Sequence, residues 1–128
     1  QIQIVISRAL MSQDALHKLQ INCIPVVTAR NLTTHGLFRI VAEFEYVKNT
    51  KVISTASSML GPLDKGEKHD LTTDTLYDAH CGKIRARMYI PFCKLSNGLD
   101  CKNMVVGSAF GAIPVEMGRS PLSRKAER

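Results

Sequence analysis

The fold is decided by residues 37–47, which read Leu-Phe-Arg-Ile-Val-Ala-Glu-Phe-Glu-Tyr-Val. Successive side chains of a β-strand point to opposite faces, so this segment separates into two faces. The first face is apolar and carries Phe38, Ile40, Ala42, Phe44 and Tyr46. The second face is mixed and carries Arg39, Val41, Glu43, Glu45 and Val47. This long alternation predicts a strand that buries one face, and the segment is the best candidate for the core of a sheet.

Neighbouring segments predict further strands. Residues 1–7 alternate Ile2, Ile4 and Ile6 with other side chains, and residues 21–29 are apolar and β-branched. The dipeptide Asn49-Thr50 predicts a tight turn into a strand over residues 51–56, which forms a hairpin with residues 37–47. A last core strand is expected over residues 103–110, where a glycine at position 107 interrupts it.

Two short stretches favour helix, and together with the strands they set the expected fold class. Ser12 can cap a helix that runs to about Leu19, and residues 70–77 can hold a helical turn. Residues 61–68 are dense in Gly, Pro and charge, which predicts an exposed loop. We therefore expect a single α+β domain over residues 1–118, dominated by an antiparallel sheet with one or two short helices. A pure β-sandwich is the alternative, and residues 119–128 are expected to be a flexible basic tail.

Residues 83–90, Lys-Ile-Arg-Ala-Arg-Met-Tyr-Ile, predict a half-buried strand with a ladder of cations on its outer face. The outer face carries Lys83, Arg85, Arg87 and Tyr89. An arginine can fork onto a phosphate, and a tyrosine can stack on a base. Exposed strands also carry Lys and Arg to block edge-to-edge pairing, so binding and edge protection both remain open.

The net charge of +6 is concentrated toward the C-terminal end. Residues 83–103 carry five Lys or Arg against Asp100, and residues 119–128 carry four against Glu127. This balance favours a polyanionic partner such as RNA, a phosphorylated protein or an acidic membrane surface. The tail cations, which would form a second and flexible anion-binding hook, are Arg119, Arg124, Lys125 and Arg128.

The cysteines Cys23, Cys81, Cys93 and Cys101 form no CxxC pair, and no signal-peptide pattern opens the chain. We therefore expect buried free thiols and an intracellular, reducing location. The cysteine spacings match no standard zinc motif, so neither a metal nor a cofactor is expected. The chain begins with Gln, and we expect it to be the ordered part of a longer protein or a processed product.

Catalytic signatures are missing from the sequence. Residues 107–111 do not fit the nucleophile-elbow pattern, and there is no glycine-rich phosphate loop. His80 and Cys81 are adjacent, so in a strand they would point apart and could not form a catalytic pair. We expect no enzymatic activity and no small-molecule substrate.

Residues 77–82, Tyr-Asp-Ala-His-Cys-Gly, and residues 87–91, Arg-Met-Tyr-Ile-Pro, resemble a stretch of rhabdovirus matrix proteins. The expected order of strand, short helix and long strand upstream is also similar to the first part of that matrix core. The resemblance implies a small α+β structural protein of the virion without enzyme activity. Such proteins self-associate, condense the ribonucleoprotein and bridge it to the membrane.

The leading interpretation is therefore a non-enzymatic, matrix-like structural protein. It would self-assemble and bridge a viral ribonucleoprotein to an anionic membrane through Lys83, Arg85, Arg87 and the basic tail. The alternatives are a small RNA-binding module of a ribonucleoprotein complex, and a protein-interaction domain in which the basic strand only protects an edge.

Overall fold

The computed structural model describes residues 1–13, 20–73 and 75–118. Within these ranges the chain forms eight β-strands and two single-turn 3-10 helices, and no α-helix. The strands are β1 (Ile2–Gln13), β2 (Ile21–Asn31), β3 (Leu37–Lys48), β4 (Lys51–Leu60), β5 (Lys68–Thr72), β6 (Ile84–Leu95), β7 (Val105–Gly107) and β8 (Val115–Met117). The 3-10 turns span Cys81–Lys83 and Lys102–Met104.

The strands form two sheets that pack face to face. The first sheet has the order β5-β2-β1-β7 and the second has the order β4-β3-β6-β8. Pairing is antiparallel except for the two short strands, since β7 runs parallel to β1 and β8 runs parallel to β6. The inner faces of both sheets contribute to one hydrophobic core. The architecture is therefore a β-sandwich.

The expected α+β class is wrong, and the β-sandwich that the sequence left as the alternative describes the chain. Ser12 lies within β1 and pairs with Asn22 of β2, so it does not cap a helix. Residues 70–72 belong to β5, and Leu76 bridges to Cys23, so the helical turn expected over residues 70–77 does not form. Pairing with β2 overrides the weak local preference for helix at both places. Residues 14–19 and the expected tail at 119–128 lie outside the described residues.

The alternation read from the sequence decides which side chains enter the core. Ile2, Ile4 and Ile6 are all fully buried, as are the Phe44 and Tyr46 rings, whose centroids lie 6.2 Å apart. Two departures occur: Phe38 is 52% exposed, and Glu45 and Val47 of the second face are buried. The β3–β6 register shifts between Leu37 and Arg39, so this bulge turns Leu37 inward and Phe38 out of the core.

The four cysteines form two disulfides, so the expectation of free thiols is wrong. Cys23 is bonded to Cys81 and Cys93 to Cys101, with Cα–Cα distances of 5.2 and 5.0 Å. The first bond links strand β2 of the first sheet to the turn that leads into β6 of the second sheet. Its two cysteines are 58 positions apart in sequence, so no local sequence motif predicts that they pair. No helix in the described parts of the chain is long and apolar enough to cross a membrane.

Asn31, at the end of β2, organises two loops at one end of the sandwich. It is fully buried, and its Nδ2 donates to the backbone oxygens of His35 (2.9 Å) and Leu63 (3.2 Å). Its Oδ1 accepts from the backbone N–H of Thr33 (3.0 Å) and from Thr33 Oγ1 (2.6 Å). Its buried amide is therefore satisfied by the loops that follow β2 and β4.

Replacing Phe44 with Ala should lower the free energy of unfolding by about 3–5 kcal/mol, because it removes a fully buried ring from the centre of the core. Phe110, which is 98% exposed, is the matched control and should cost less than about 0.5 kcal/mol on the same change. Denaturant melts measure both values. A loss below about 1 kcal/mol for Phe44→Ala would remove β3 from the centre of the core.

Replacing Asn31 with Ala should cost about 1–3 kcal/mol, because backbone groups that it bonds would lose their partner inside the protein. The control is Asn97→Ala, since Asn97 is exposed and its Oδ1 accepts from the backbone N–H of Leu99 within its own turn. Equal losses for the two variants in denaturant melts would contradict the role assigned to Asn31.

Candidate anion-binding site

The predicted basic strand is β6, and its alternation is confirmed. The side chains of Ile84, Ala86, Met88 and Ile90 are buried. On the outer face Arg85 is exposed, whereas Arg87 and Tyr89 are half-buried. Lys83 is exposed and lies in the 3-10 turn just before the strand. β6 pairs with β3 along its length and with β8 over residues 86–88, so edge protection does not explain the cation at Arg87.

Arg87 is surrounded by groups of its own sheet. The registers place it opposite Glu45 of β3 on one side and Glu116 of β8 on the other. Opposite residues of neighbouring strands project from the same face, so Arg87 shares a face with both carboxylates, although no ion pair within 4.0 Å joins it to either of them. Gly118 packs on the guanidinium, since a Cβ there would lie 2.5 Å from Arg87 Nε, and that Nε is buried without a hydrogen-bond partner among the described residues. Arg87 is therefore partly enclosed by its own sheet and is less accessible to a phosphate than Arg85.

Tyr89 and the middle of β6 offer no continuous track for a polyanion. Tyr89 lies opposite Glu43 of β3, one row along the sheet from the Glu45–Arg87 pair. A nucleic-acid backbone that followed the cations of β6 would therefore pass over Glu43 and beside Glu116, with the buried Glu45 beneath it. The single-strand alternation seen in the sequence could not show these carboxylates, because they belong to the neighbouring strands.

Cations without adjacent carboxylates gather at one end of the second sheet. Lys48 at the end of β3 lies opposite Lys51 of β4 and opposite Ile84, the residue after Lys83. Arg85 lies opposite Val47, so it projects from the other face of the sheet than Lys48 and Lys51 and shares with them only the end of the sheet. We call this group of Lys48, Lys51, Lys83 and Arg85 the basic end.

The basic end is electrostatically uncompensated within its ladders. No position that the strand registers place opposite Lys48, Lys51 or Arg85 carries an acid. Asp78 lies in the preceding loop, where its backbone N–H donates to Asn22 Oδ1 on the β2 side. Two lysines directly opposite each other destabilise a hairpin, so the arrangement favours an external anion. Lys48 and Lys51 are not among the site residues predicted from the sequence, although the hairpin expected at Asn49-Thr50 places them opposite each other.

The same end of the sandwich exposes large apolar side chains. They are Leu10 (50% exposed), Met11 (56%), Ile21 (41%) and Tyr77 (71%), and we call them the apolar rim. Their backbone is joined to the basic end. Met11 pairs with Cys23, which is disulfide-bonded to Cys81, two residues before Lys83. The Ala79 N–H donates to the Ile21 oxygen at 2.8 Å, which ties the loop of Tyr77 to β2.

The remaining candidates are not brought to this end by the described structure. Arg119, Arg124, Lys125 and Arg128 lie outside the described residues. Within the described ranges no three His, Cys, Asp or Glu side chains are placed to hold a metal ion.

Comparisons with known proteins add no family to this geometry. No protein-family model, curated protein or solved structure matches the chain.

The different surroundings of Arg87 and Arg85 predict different effects of the same substitution. Arg87→Gln should lower the free energy of unfolding by at least about 1 kcal/mol, because it removes a half-buried guanidinium that packs against Gly118 on the same face as Glu45 and Glu116. Arg85→Gln should change it by no more than about 0.5 kcal/mol, since Arg85 is exposed. Denaturant melts at low salt measure both, and a neutral Arg87→Gln would contradict the structural role of Arg87.

Proposed function

We propose that the protein is a non-enzymatic structural protein that docks on an anionic membrane surface through its basic end and apolar rim. One observation carries the proposal. Three cations whose strand partners carry no acid (Lys48, Lys51 and Arg85) lie with Lys83 and four exposed large apolar side chains at the same end of one disulfide-bonded sandwich. Cations attract anionic headgroups, and apolar side chains enter the boundary between headgroups and acyl chains.

The magnitudes explain why both parts are needed. A Lys or Arg near an anionic surface contributes about 1 kcal/mol, so the four cations contribute about 4 kcal/mol, or about a thousandfold in affinity. That is weaker than the marginal binding conferred by a single myristoyl chain. Burying exposed apolar surface adds about 25 cal/mol of favourable binding free energy per Å². Insertion of the apolar rim would therefore raise the membrane affinity above the value that the four cations provide.

A membrane explains this end better than a nucleic acid does. Single-stranded RNA binding uses aromatic platforms beside the cations, whereas the rim is mostly aliphatic and Tyr89 lies beside Glu43. Side chains such as Leu10, Met11 and Ile21 have no aromatic ring with which to stack on a base, but they insert readily into the outer part of a bilayer. RNA binding remains the competing proposal from the sequence.

The two disulfides favour a location different from the one expected from the sequence. Disulfides form and persist in oxidising environments such as the extracellular space and the surfaces of cells and virions. We therefore propose that the protein resides in an oxidising compartment instead of the reducing one expected from the sequence. The matrix-like role is retained only as attachment to an anionic surface, because the α+β fold that the resemblance implied is not the fold observed.

Binding to vesicles tests the proposal. The protein should co-sediment with phosphatidylcholine vesicles that contain phosphatidylserine, and weakly or not at all with phosphatidylcholine alone. Lys83→Gln with Arg85→Gln should weaken this binding about thirtyfold, because two cations contribute about 2 kcal/mol. Lys65→Gln with Lys102→Gln removes the same charge from exposed positions outside the basic end and should change the affinity less than threefold.

Two further arms separate the alternatives. Met11→Ser with Ile21→Ser should weaken vesicle binding without changing its dependence on salt, because the apolar rim carries no charge. A protein that ignores anionic vesicles but binds single-stranded RNA with a steep salt dependence would overturn membrane docking in favour of the RNA-binding module. Indifference to both would overturn any polyanion role.

A further inference from the structure

The outer face of the second sheet carries an apolar row that crosses three strands. Val41 of β3 lies opposite Met59 of β4 and opposite Phe92 of β6, so the three side chains stand in line on one face. Met59 is 64% and Phe92 37% exposed, while Val41 is half-buried between them. Apolar side chains that adjoin on an exposed sheet face mark an interaction surface.

Charges of opposite sign flank this apolar row. Two residues before Val41 along β3 lies Arg39, opposite Lys94 of β6. Two residues after Val41 lies Glu43. The guanidinium carbon of Arg39 lies 5.3 Å from the centroid of the exposed Phe38 ring, which adds apolar surface on the cationic side. The face is therefore positive on one side of the row and negative on the other.

We propose that a second copy of this chain packs on this face, related by a two-fold axis that runs along the apolar row. Such an axis reverses the strand direction of the second copy, so the flanking rows exchange places. Arg39 then meets Glu43 of the partner subunit, and Glu43 meets the partner subunit's Arg39. Each residue of the apolar row meets its own counterpart, which is the self-complementary contact that a two-fold interface requires.

Charge excludes the other two-fold arrangement of the same faces. An axis parallel to the strands would place Arg39 against Arg39 of the partner subunit and Glu43 against the partner subunit's Glu43. Like charges opposed across an interface cost several kcal/mol, whereas opposite charges fix the register. The sign pattern on either side of Val41 thus selects one orientation of a second copy.

This interface leaves the basic end free and does not depend on membrane docking. Arg85 lies opposite Val47, six residues along β3 from Val41, which is about 20 Å at the rise of a strand. Because the axis reverses the strands, the two basic ends of the dimer would point in opposite directions. A dimer of this kind presents one docking end at each pole.

Sedimentation velocity over a range of concentrations tests the interface. The wild-type chain should pass from monomer to dimer as its concentration rises. Arg39→Glu and Glu43→Lys should each raise the dimer dissociation constant by about tenfold or more, because each opposes like charges across the interface. The double variant should restore the wild-type constant. Arg30→Glu makes the same change at an exposed position on β2 and should have no effect.

The apolar row is tested separately, so a misfolded charge variant does not leave the question open. Met59→Glu should also dissociate the dimer, and Phe110→Glu, at an exposed position outside this face, should not. A wild-type chain that stays monomeric at every attainable concentration overturns the proposal. So does a dimer that tolerates Met59→Glu and both charge variants, which would instead indicate pairing through the free edge of β4.

Discussion

The Cys23–Cys81 disulfide is the constraint on which the docking end depends. It joins a central strand of the first sheet to the turn from which β6 of the second sheet begins. Closing a loop of this length removes about 4 kcal/mol of chain entropy from the unfolded state. The same bond fixes the position of the apolar rim relative to Lys83, because Met11 pairs with Cys23 and the loop of Tyr77 ends at Cys81. Cations and exposed apolar side chains are therefore presented together on a rigid scaffold.

The second sheet shows how one strand can carry cations with different roles. Arg87 stands opposite two acidic residues and beneath Gly118, so its guanidinium is half-buried against its own sheet. Arg85, two residues earlier on β6, lies opposite Val47 and is exposed to solvent. Farther along the sheet, Arg39 and Glu43 of β3 lie on either side of Val41, so the face is positively charged on one side of Val41 and negatively charged on the other. The residues on neighbouring strands therefore decide whether a cation of β6 is available to an external anion or packs within the sheet.

The sequence predicts what depends on local pattern and misses what depends on distant pairing. The alternation in β3 and β6 and the turn at Asn49-Thr50 follow from residues close in sequence, and all three are observed. The Cys23–Cys81 bond and the carboxylates around Arg87 require strands far apart in the chain to be placed side by side. The helical turn expected over residues 70–77 fails for the same reason, because bonding to β2 sets the conformation there. For the candidate site, Lys83 and Arg85 are predicted from one local stretch of sequence, whereas Lys48 joins them only through β3–β6 pairing.

Asn31 has a consequence for where the chain can be made. It is followed by Leu32 and Thr33, and Asn-x-Thr is the acceptor sequence for N-linked glycosylation. In the folded protein both N–H groups of its amide donate to backbone oxygens and the side chain is fully buried, so no glycan can be accommodated. A sugar attached before folding would keep the loops after β2 and β4 from closing. The chain therefore reaches this fold only in a compartment where its disulfides form and no glycan is attached to Asn31.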